Sequence, residues 1–256
     1  LAVTMSEDGS PTAWVAPTLG ATDADSGTTL IWSVSSTASN GVATVSGMGA
    51  APSTFTYAPN SDFNGNDSFV VQVSDGALTD TITINLTVSG VNDAPVITQG
   101  AGPIAKTVIE DGNASWGAVD LNVTDVDTAS SSLTWSVSSG ASNGSIVLSG
   151  TGSYPSLFTY TPNADFNGSD TFTVQVSDGA LSDSVTFNVT VNGVNDAPVN
   201  LVPIAPLTIA ENQTIGTIVG EFNATDPDVN ATLTYHLVSG AGDGNNSLFT
   251  LETNGT

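Results

Sequence analysis

Nearly all the residues able to do chemistry in this chain are carboxylates, and they return in the same order along it. An early Glu stands at Glu7, Glu110 and Glu211. An Asp-x-Asp follows at Asp23/Asp25, Asp125/Asp127 and Asp226/Asp228, then a Ser-Asp-Gly at Asp75 and Asp178. An Asn-Asp-Ala-Pro closes the series at Asn92/Asp93 and Asn195/Asp196. Carboxylates gathered at ~4 Å repel by about 4 kcal/mol per pair at an effective dielectric near ~20. The chain cannot neutralise them itself, because 25 Asp and Glu face one Lys, Lys106, and no Arg, for a formal net charge of -24. A hard cation that takes 6–8 oxygen ligands, amide and backbone carbonyl oxygens included, suits this donor set, and Ca²⁺ is that cation.

The same composition excludes other chemistry. Without Lys and Arg there is nothing to displace counterions from phosphates, so nucleic acid is not an expected partner, and an anionic membrane surface would repel the chain. The absence of Cys removes disulfides, thiolate metal sites and thiol nucleophiles together. A Ser-His-Asp triad would have to use His236, the single histidine, which alternation places on the face opposite Tyr235 as a solvated side chain. Paired carboxylates for glycoside hydrolysis need one cleft, whereas these recur in every copy. No enzymatic activity is expected. No apolar run reaches the ~18–20 residues of a membrane-spanning helix, and no signal-peptide pattern opens the chain, which reads as part of something longer.

The elements that must position the carboxylates follow from an internal repeat of 103 residues. Tyr57 to Leu78, with Asp62-Phe-Asn64-Gly-Asn66-Asp67 inside it, recurs as Tyr160 to Leu181, and Trp32 recurs as Trp135. The pattern predicts three repeats: 1–95, 96–198 and an incomplete third at 199–256, in which Glu211 and Asp226-Pro-Asp228 mark the correspondence. Phe69, Val71 and Val73 alternate with polar or outward residues. Ile82, Ile84, Leu86 and Val88 do the same, as do Val185, Phe187, Val189 and Val191, which is the period of half-buried strands. Turn pairs such as Asn64-Gly65 and Asp75-Gly76 separate these strands. Some seven short strands in about 100 residues predict an all-β fold, tandem immunoglobulin-like Greek-key sandwiches in an extended string. Trp32, Trp135 and Tyr235 are expected in equivalent strands, filling the cores. Asp62 to Asp67 superficially matches a helix-loop-helix calcium loop, but loop position 12 holds Val73 where a Glu is needed, so the segment is read as a turn.

The early Glu, the Asp-x-Asp and the Asn-Asp-x-Pro resemble the calcium motifs of cadherin repeats. The string Tyr-x-Pro-Asn-x-Asp-Phe-Asn-Gly, Val-Ser-Asp-Gly, Val-Asn-Asp-Ala-Pro resembles the cadherin-like tandem repeats of large bacterial surface adhesins. The resemblance implies Ca²⁺ at the linkers, stiffening a string of domains. Carried over by position, the first linker site uses Glu7, Asp75, Asn92 and Asp93 with Asp125 and Asp127. The second uses Glu110, Asp178, Asn195 and Asp196 with Asp226, Asp228 and Asn230. Asp23 and Asp25 would face an upstream domain. Ser-Asp-Gly stands where cadherins have Asp-Arg-Glu, and Gly90 and Gly193 replace the leading Asp of the linker, so one or two ions per linker are expected.

Asparagine carries a second signal. Twelve residues lie in Asn-x-Ser/Thr, against about five expected from the content of Asn, Ser and Thr. Seven have an acidic residue two positions earlier: Asn113, Asn122, Asn167, Asn223, Asn230, Asn245 and Asn254. That resembles the extended acceptor of bacterial oligosaccharyltransferases and makes these asparagines candidates for glycosylation, although Asn230 is also a ligand candidate. Asn85 and Asn188 fall on outward strand faces, which suits a glycan. The expected function is a Ca²⁺-rigidified extender of an exported adhesin or filament at the cell surface, with neighbouring repeats as its partners. The alternative is a self-assembling fibre subunit whose incomplete end is completed by a neighbouring chain.

Overall fold

The computed structural model describes residues 1–100, 102–115, 121–204, 207–240 and 243–251. The chain divides into two compact units. Unit 1 is Leu1–Pro95 with Asp125–Ala129, and unit 2 is Val96–Thr124 with Ser130–Thr256.

In unit 1 the β-branched, alternating segments form β1 (Ala2–Ser6), β2 (Ile31–Ser36), β3 (Gly41–Met48), β4 (Thr54–Pro59), β5 (Gly65–Ser74) and β6 (Thr79–Ser89). They are ordered β1-β6-β5-β2-β3-β4. β1 runs parallel to β6, Ala2 opposite Asn85 and Ser6 opposite Ser89, while β5 and β6 form a long antiparallel hairpin. β3 is shared, its last two residues pairing with β2 and its first six with β4. The excursion through β3 and β4 before β5 returns beside β2 is the Greek-key step. Residues 7–30 contribute no strand. Pro11 and Pro17 remove ladder donors there, and Gly9, Gly20 and Gly27 offer no side chain to pack. The first repeat therefore has six strands where seven are expected.

In unit 2 the strands are β7 (Val96–Ile97), β8 (Ile104–Ile109), β9 (Ala114–Ser115), β10 (Val123–Thr124), β11 (Thr134–Ser139), β12 (Gly144–Ser149), β13 (Leu157–Pro162), β14 (Gly168–Ser177) and β15 (Ser182–Asn192). A β11-β14-β15-β8 sheet packs against a β12-β13-β9 sheet, and β7 pairs with β10. Among the described residues the helical pieces are two 3-10 turns, Ser130–Ser132 and Asp243–Leu248. No helix of the described residues is long and apolar enough to cross a membrane.

The period of two sorts the side chains as the sequence predicts. Phe69, Val71, Ile84, Leu86 and Val88 are buried in the first core, and Phe172, Val174, Val185, Phe187, Val189 and Val191 in the second. Trp32 and Trp135 are buried, and their indole N–H groups donate to Gly49 O at 2.9 Å and Gly152 O at 3.0 Å. Tyr57 stacks on Phe69 and Tyr160 on Phe172. Below each stack lies a buried carboxylate. Asp67 accepts from Tyr57 Oη (2.9 Å) and from the N–H groups of Ser39, Asn40 and Ser68. Asp170 does the same with Tyr160 Oη (2.8 Å), Ser142, Asn143 and Thr171. Gly144 is held to glycine by this packing, since a Cβ there would lie 2.5 Å from the Tyr160 ring.

The third repeat differs from expectation. Its strands are β16 (Val199–Pro203) and β17 (Phe222–Thr225), an antiparallel pair with a shifted register. Tyr235 is half-buried but lies in no strand, unlike Trp32 and Trp135, and Leu201, Ile204, Ile218 and Val238 are exposed. The described residues supply no second sheet for these apolar groups to close against.

Candidate metal centre

The strand register decides which carboxylates can meet. Because β1 is parallel to β6, both leave the sheet at the same end: Glu7 follows Ser6, its N–H donating to Ser89 O at 3.1 Å. Gly65, the first residue of β5, pairs with Val88, so the turn carrying Asp62 is also at that end. Glu7 Oε1 accepts the N–H of Val91 at 2.6 Å, while its Oε2 is buried with no hydrogen-bond partner. Asp125–Ala129 belongs to this unit. Asp125 Oδ1 accepts from the N–H groups of Asp127 and Thr128, Asp125 Oδ2 is buried without a partner, and Asp127 Oδ2 accepts the Asp93 N–H at 3.2 Å. The Asp93 carboxyl is pushed above the usual carboxylate range by desolvation and then by the charges of Asp8, Asp62, Glu7 and Asp127.

Unit 2 repeats the arrangement. Glu110 is 1% exposed, takes the Val194 N–H on Oε1 and faces the Asn167 amide at 3.5 Å on Oε2. Asp228 Oδ2 accepts the Asp196 N–H at 2.8 Å, and Asp226 Oδ1 accepts the Asp228 N–H at 2.9 Å. Carboxylate oxygens of Glu110, Asp196 and Asp228 lie within 4.8 Å of one another, and so do those of Asp111, Asp165 and Asp196. Asp196 is common to both trios. Its carboxyl is raised by desolvation and by Asp111, Asp165, Asp228 and Glu110. Asn195, Asp226 and Asn230 line the same hollow as Asp196 and Asp228. Asn195 Nδ2 braces the loop by donating to Asp196 O at 2.8 Å, as Asn92 does to Asp93 O at 3.0 Å.

Asp75 and Asp178 are not brought to these groups. Each follows the last residue of its strand, Ser74 opposite Thr79 and Ser177 opposite Ser182, ten residues or ~30 Å along the hairpin from the Glu end. There each Oδ1 caps the turn, taking N–H groups from Ala77 and Leu78, or from Ala180 and Leu181. These bonds hold the Asp75 carboxyl below its usual range, the Leu78 N–H first. Gly76 and Gly179 follow at φ +100° and +107°, where a side chain would be strained. Asp178→Ala is expected to cost on the order of 1 kcal/mol of stability, as loss of a side-chain cap does. Calcium affinity should be unchanged, which parallel denaturant melts and calcium titrations would check.

The positions that reach the clusters instead are Asp62 and Asp165, with Asp8 and Asp111. Asp62 and Asp165 form the expected turn at φ +59° and +56°, and that left-handed backbone sits at the carboxylate end. Their recurrence at the 103-residue spacing was the available signal. Asp23 and Asp25 share the Asx geometry, Asp25 N–H donating to Asp23 Oδ1 at 2.7 Å. His236 is exposed and outside any strand. Among the sequon asparagines, Asn113, Asn167, Asn223, Asn230 and Asn245 are exposed and Asn122 is half-buried. Asn254 lies outside the described residues.

The sandwiches and their acidic ends define a tandem of cadherin-like and immunoglobulin-like domains. Residues 92–193 match the family model of the bacterial cadherin-like domain, and residues 1–87 match that of the bacterial Ig domain. The first match starts at Asn92, so it takes the Asn-Asp-Ala-Pro segment with the second domain. The chain is 27% identical over 186 residues to the protocadherin-like wing polarity protein stan of Drosophila melanogaster, a span of 68% of this chain and 5% of that protein. The extracellular cadherin domains 1–5 of protocadherin gamma B2 align with a TM-score of 0.50 at 18% identity, over 90% of this chain and 46% of that one. Domains 1–4 of protocadherin gamma B7 align with a TM-score of 0.49 at 19% identity, over 90% and 58%.

Proposed function

We propose that this chain is a mechanical, non-catalytic segment of an exported adhesin or surface filament, in which Ca²⁺ held by the carboxylate clusters stiffens successive repeats. One observation carries the reading. Two carboxylate trios share Asp196 around a buried glutamate, in a chain whose single Lys cannot offset its 25 acidic residues. Such a group is stable when a hard cation replaces the missing positive charge. Glu110, Asp196 and Asp228 would hold one ion and Asp111, Asp165 and Asp196 a second. Glu7, Asp8, Asp62, Asp93, Asp125 and Asp127 form the corresponding group in unit 1, where the buried oxygens Glu7 Oε2 and Asp125 Oδ2, without a hydrogen-bond partner, fit cation ligands. The bound ion supplies charge neutralisation and a cross-link between loops that are remote in sequence. An acidic surface elsewhere keeps neighbouring chains apart and soluble.

Small-angle scattering in millimolar Ca²⁺ and then in excess EGTA tests this. The expected result is a stiff particle that becomes flexible on chelation. Asp125→Ala with Asp127→Ala should loosen the chain at the first linker alone. A profile indifferent to Ca²⁺ would remove the stiffening role.

A further inference from the structure

Acidic clustering leaves the opposite property elsewhere. Every outward position of β5, β6, β14 and β15 is uncharged, and the charged residues on those strands (Asp67, Asp80, Asp170 and Asp183) all fall on the inward alternation. Apart from Val70, the outward side is a lattice of hydroxyl and amide groups, and at its centre stand Asn85 and Asn188. Asn is a poor residue for a strand interior, yet it occupies the same register in both copies. The core positions beside it change, Ile84 to Phe187 and Leu86 to Val189, while the outward triplet Thr83-x-Asn85-x-Thr87 persists as Thr186-x-Asn188-x-Thr190. Core packing does not account for that triplet, because none of it faces the core. What it does preserve is a sequon, Asn85-Leu-Thr87 and Asn188-Val-Thr190, with Asn and Thr on one face because a strand repeats every two residues.

We infer that Asn85 and Asn188 are N-glycosylation sites, and that the uncharged face around each is the bed on which its glycan lies. Both asparagines are exposed. Asn188 Oδ1 takes a hydrogen bond from Thr171 at 3.2 Å, which turns the amide nitrogen, the sugar-bearing atom, away from that contact. A polyol resting on Ser, Thr and Gln exchanges hydrogen bonds without desolvating a charge. Asn122 and Asn167 accommodate a glycan less well in the folded chain: the first is half-buried with Oδ1 on the Val123 N–H, and the second has its amide on Glu110. In the transfer itself, the Asn amide nitrogen attacks the anomeric carbon of an oligosaccharide carried as a lipid pyrophosphate. The C–O bond to the pyrophosphate breaks, the pyrophosphate leaves with its electron pair, and the amide gives up one proton to a base of the transferase. β6 and β15 are paired on both sides, so transfer must precede closure of the sheet.

The test is glycopeptide mass spectrometry on the chain isolated from the cells that export it, cut with an acid-residue protease because Lys106 is its one tryptic site. Peptides containing Asn85 and Asn188 should carry a sugar mass. Thr87→Ala and Thr190→Ala should each abolish the increment on their own peptide, and Thr87→Ser should restore it while the circular dichroism stays unchanged. Unmodified Asn85 and Asn188 peptides, or glycans confined to the acid-preceded sequons, would overturn the inference.

Discussion

Stripping calcium from the folded chain is expected to lower the stability of unit 2 by several kcal/mol. An ion held at 100 times its dissociation constant contributes about 2.7 kcal/mol, and two trios offer two such ions. For a unit of this size that is a fall of roughly 10 °C or more in the midpoint of thermal unfolding, which scanning calorimetry with and without EGTA would register. The sign of the pH dependence follows from Asp93 and Asp196. Their folded pKa is raised, so in the calcium-free protein their charged form is disfavoured. Stability should recover as pH falls through that raised value, and calcium should abolish the effect. Stoichiometry separates the ligands. Asp228→Ala removes one trio, whereas Asp196→Ala removes the residue that both share, and should lose both ions.

The second large effect lies in the core. Asp170→Ala is expected to cost on the order of 4 kcal/mol in a denaturant melt and to leave calcium binding in place. Asp170 is 6% exposed and receives three backbone N–H groups and the Tyr160 hydroxyl. Removing it leaves four buried or partly buried donors without an acceptor, each costing about 1–3 kcal/mol where water cannot reach it. Asp67→Ala should act alike in unit 1. Burial alone would raise these carboxyls, but the hydrogen bonds outweigh it and hold both below the usual range. Their contribution is therefore complete above the unfolded carboxyl value of about 3.9 and disappears as pH falls through the lower folded value. Acid thus acts with opposite signs on the two sets of carboxylates, weakening the Asp67 and Asp170 clasps while relieving the repulsion around Asp93 and Asp196 in the calcium-free protein.

Much of this was legible in the residues. The strands of both full repeats are written in alternations such as Val185-x-Phe187-x-Val189-x-Val191, because one face of a strand must meet the core and the next residue must not. The 103-residue repeat then places Glu7 and Asp93 in correspondence with Glu110 and Asp196, and the Asp-x-Asp motif itself matches Asp125 and Asp127 to Asp226 and Asp228, 101 residues on. What a motif cannot say is which end of a hairpin it occupies. Ser-Asp-Gly sits at the far turn and Asp62-Phe-Asn-Gly at the near one, a distinction made by the parallel β1–β6 register, which no local pattern records. Asp62 and Asp165 were hidden behind a correct reading as turns, since a left-handed aspartate both turns the chain and presents its carboxylate. Tyr235 failed for another reason. Its local pattern matches that of Trp135, but a strand forms only where a partner strand and a facing sheet exist, and in the described part of the third repeat β16 and β17 pair only with each other and no sheet faces them.

The central claim, that the carboxylate clusters are cation sites, is tested most directly by difference density from crystals grown with Ca²⁺. One ion is expected among Glu110, Asp196 and Asp228 and another among Asp111, Asp165 and Asp196, with none at Asp178. Clusters holding only water at millimolar Ca²⁺, or an ion seated at Asp178, would contradict it.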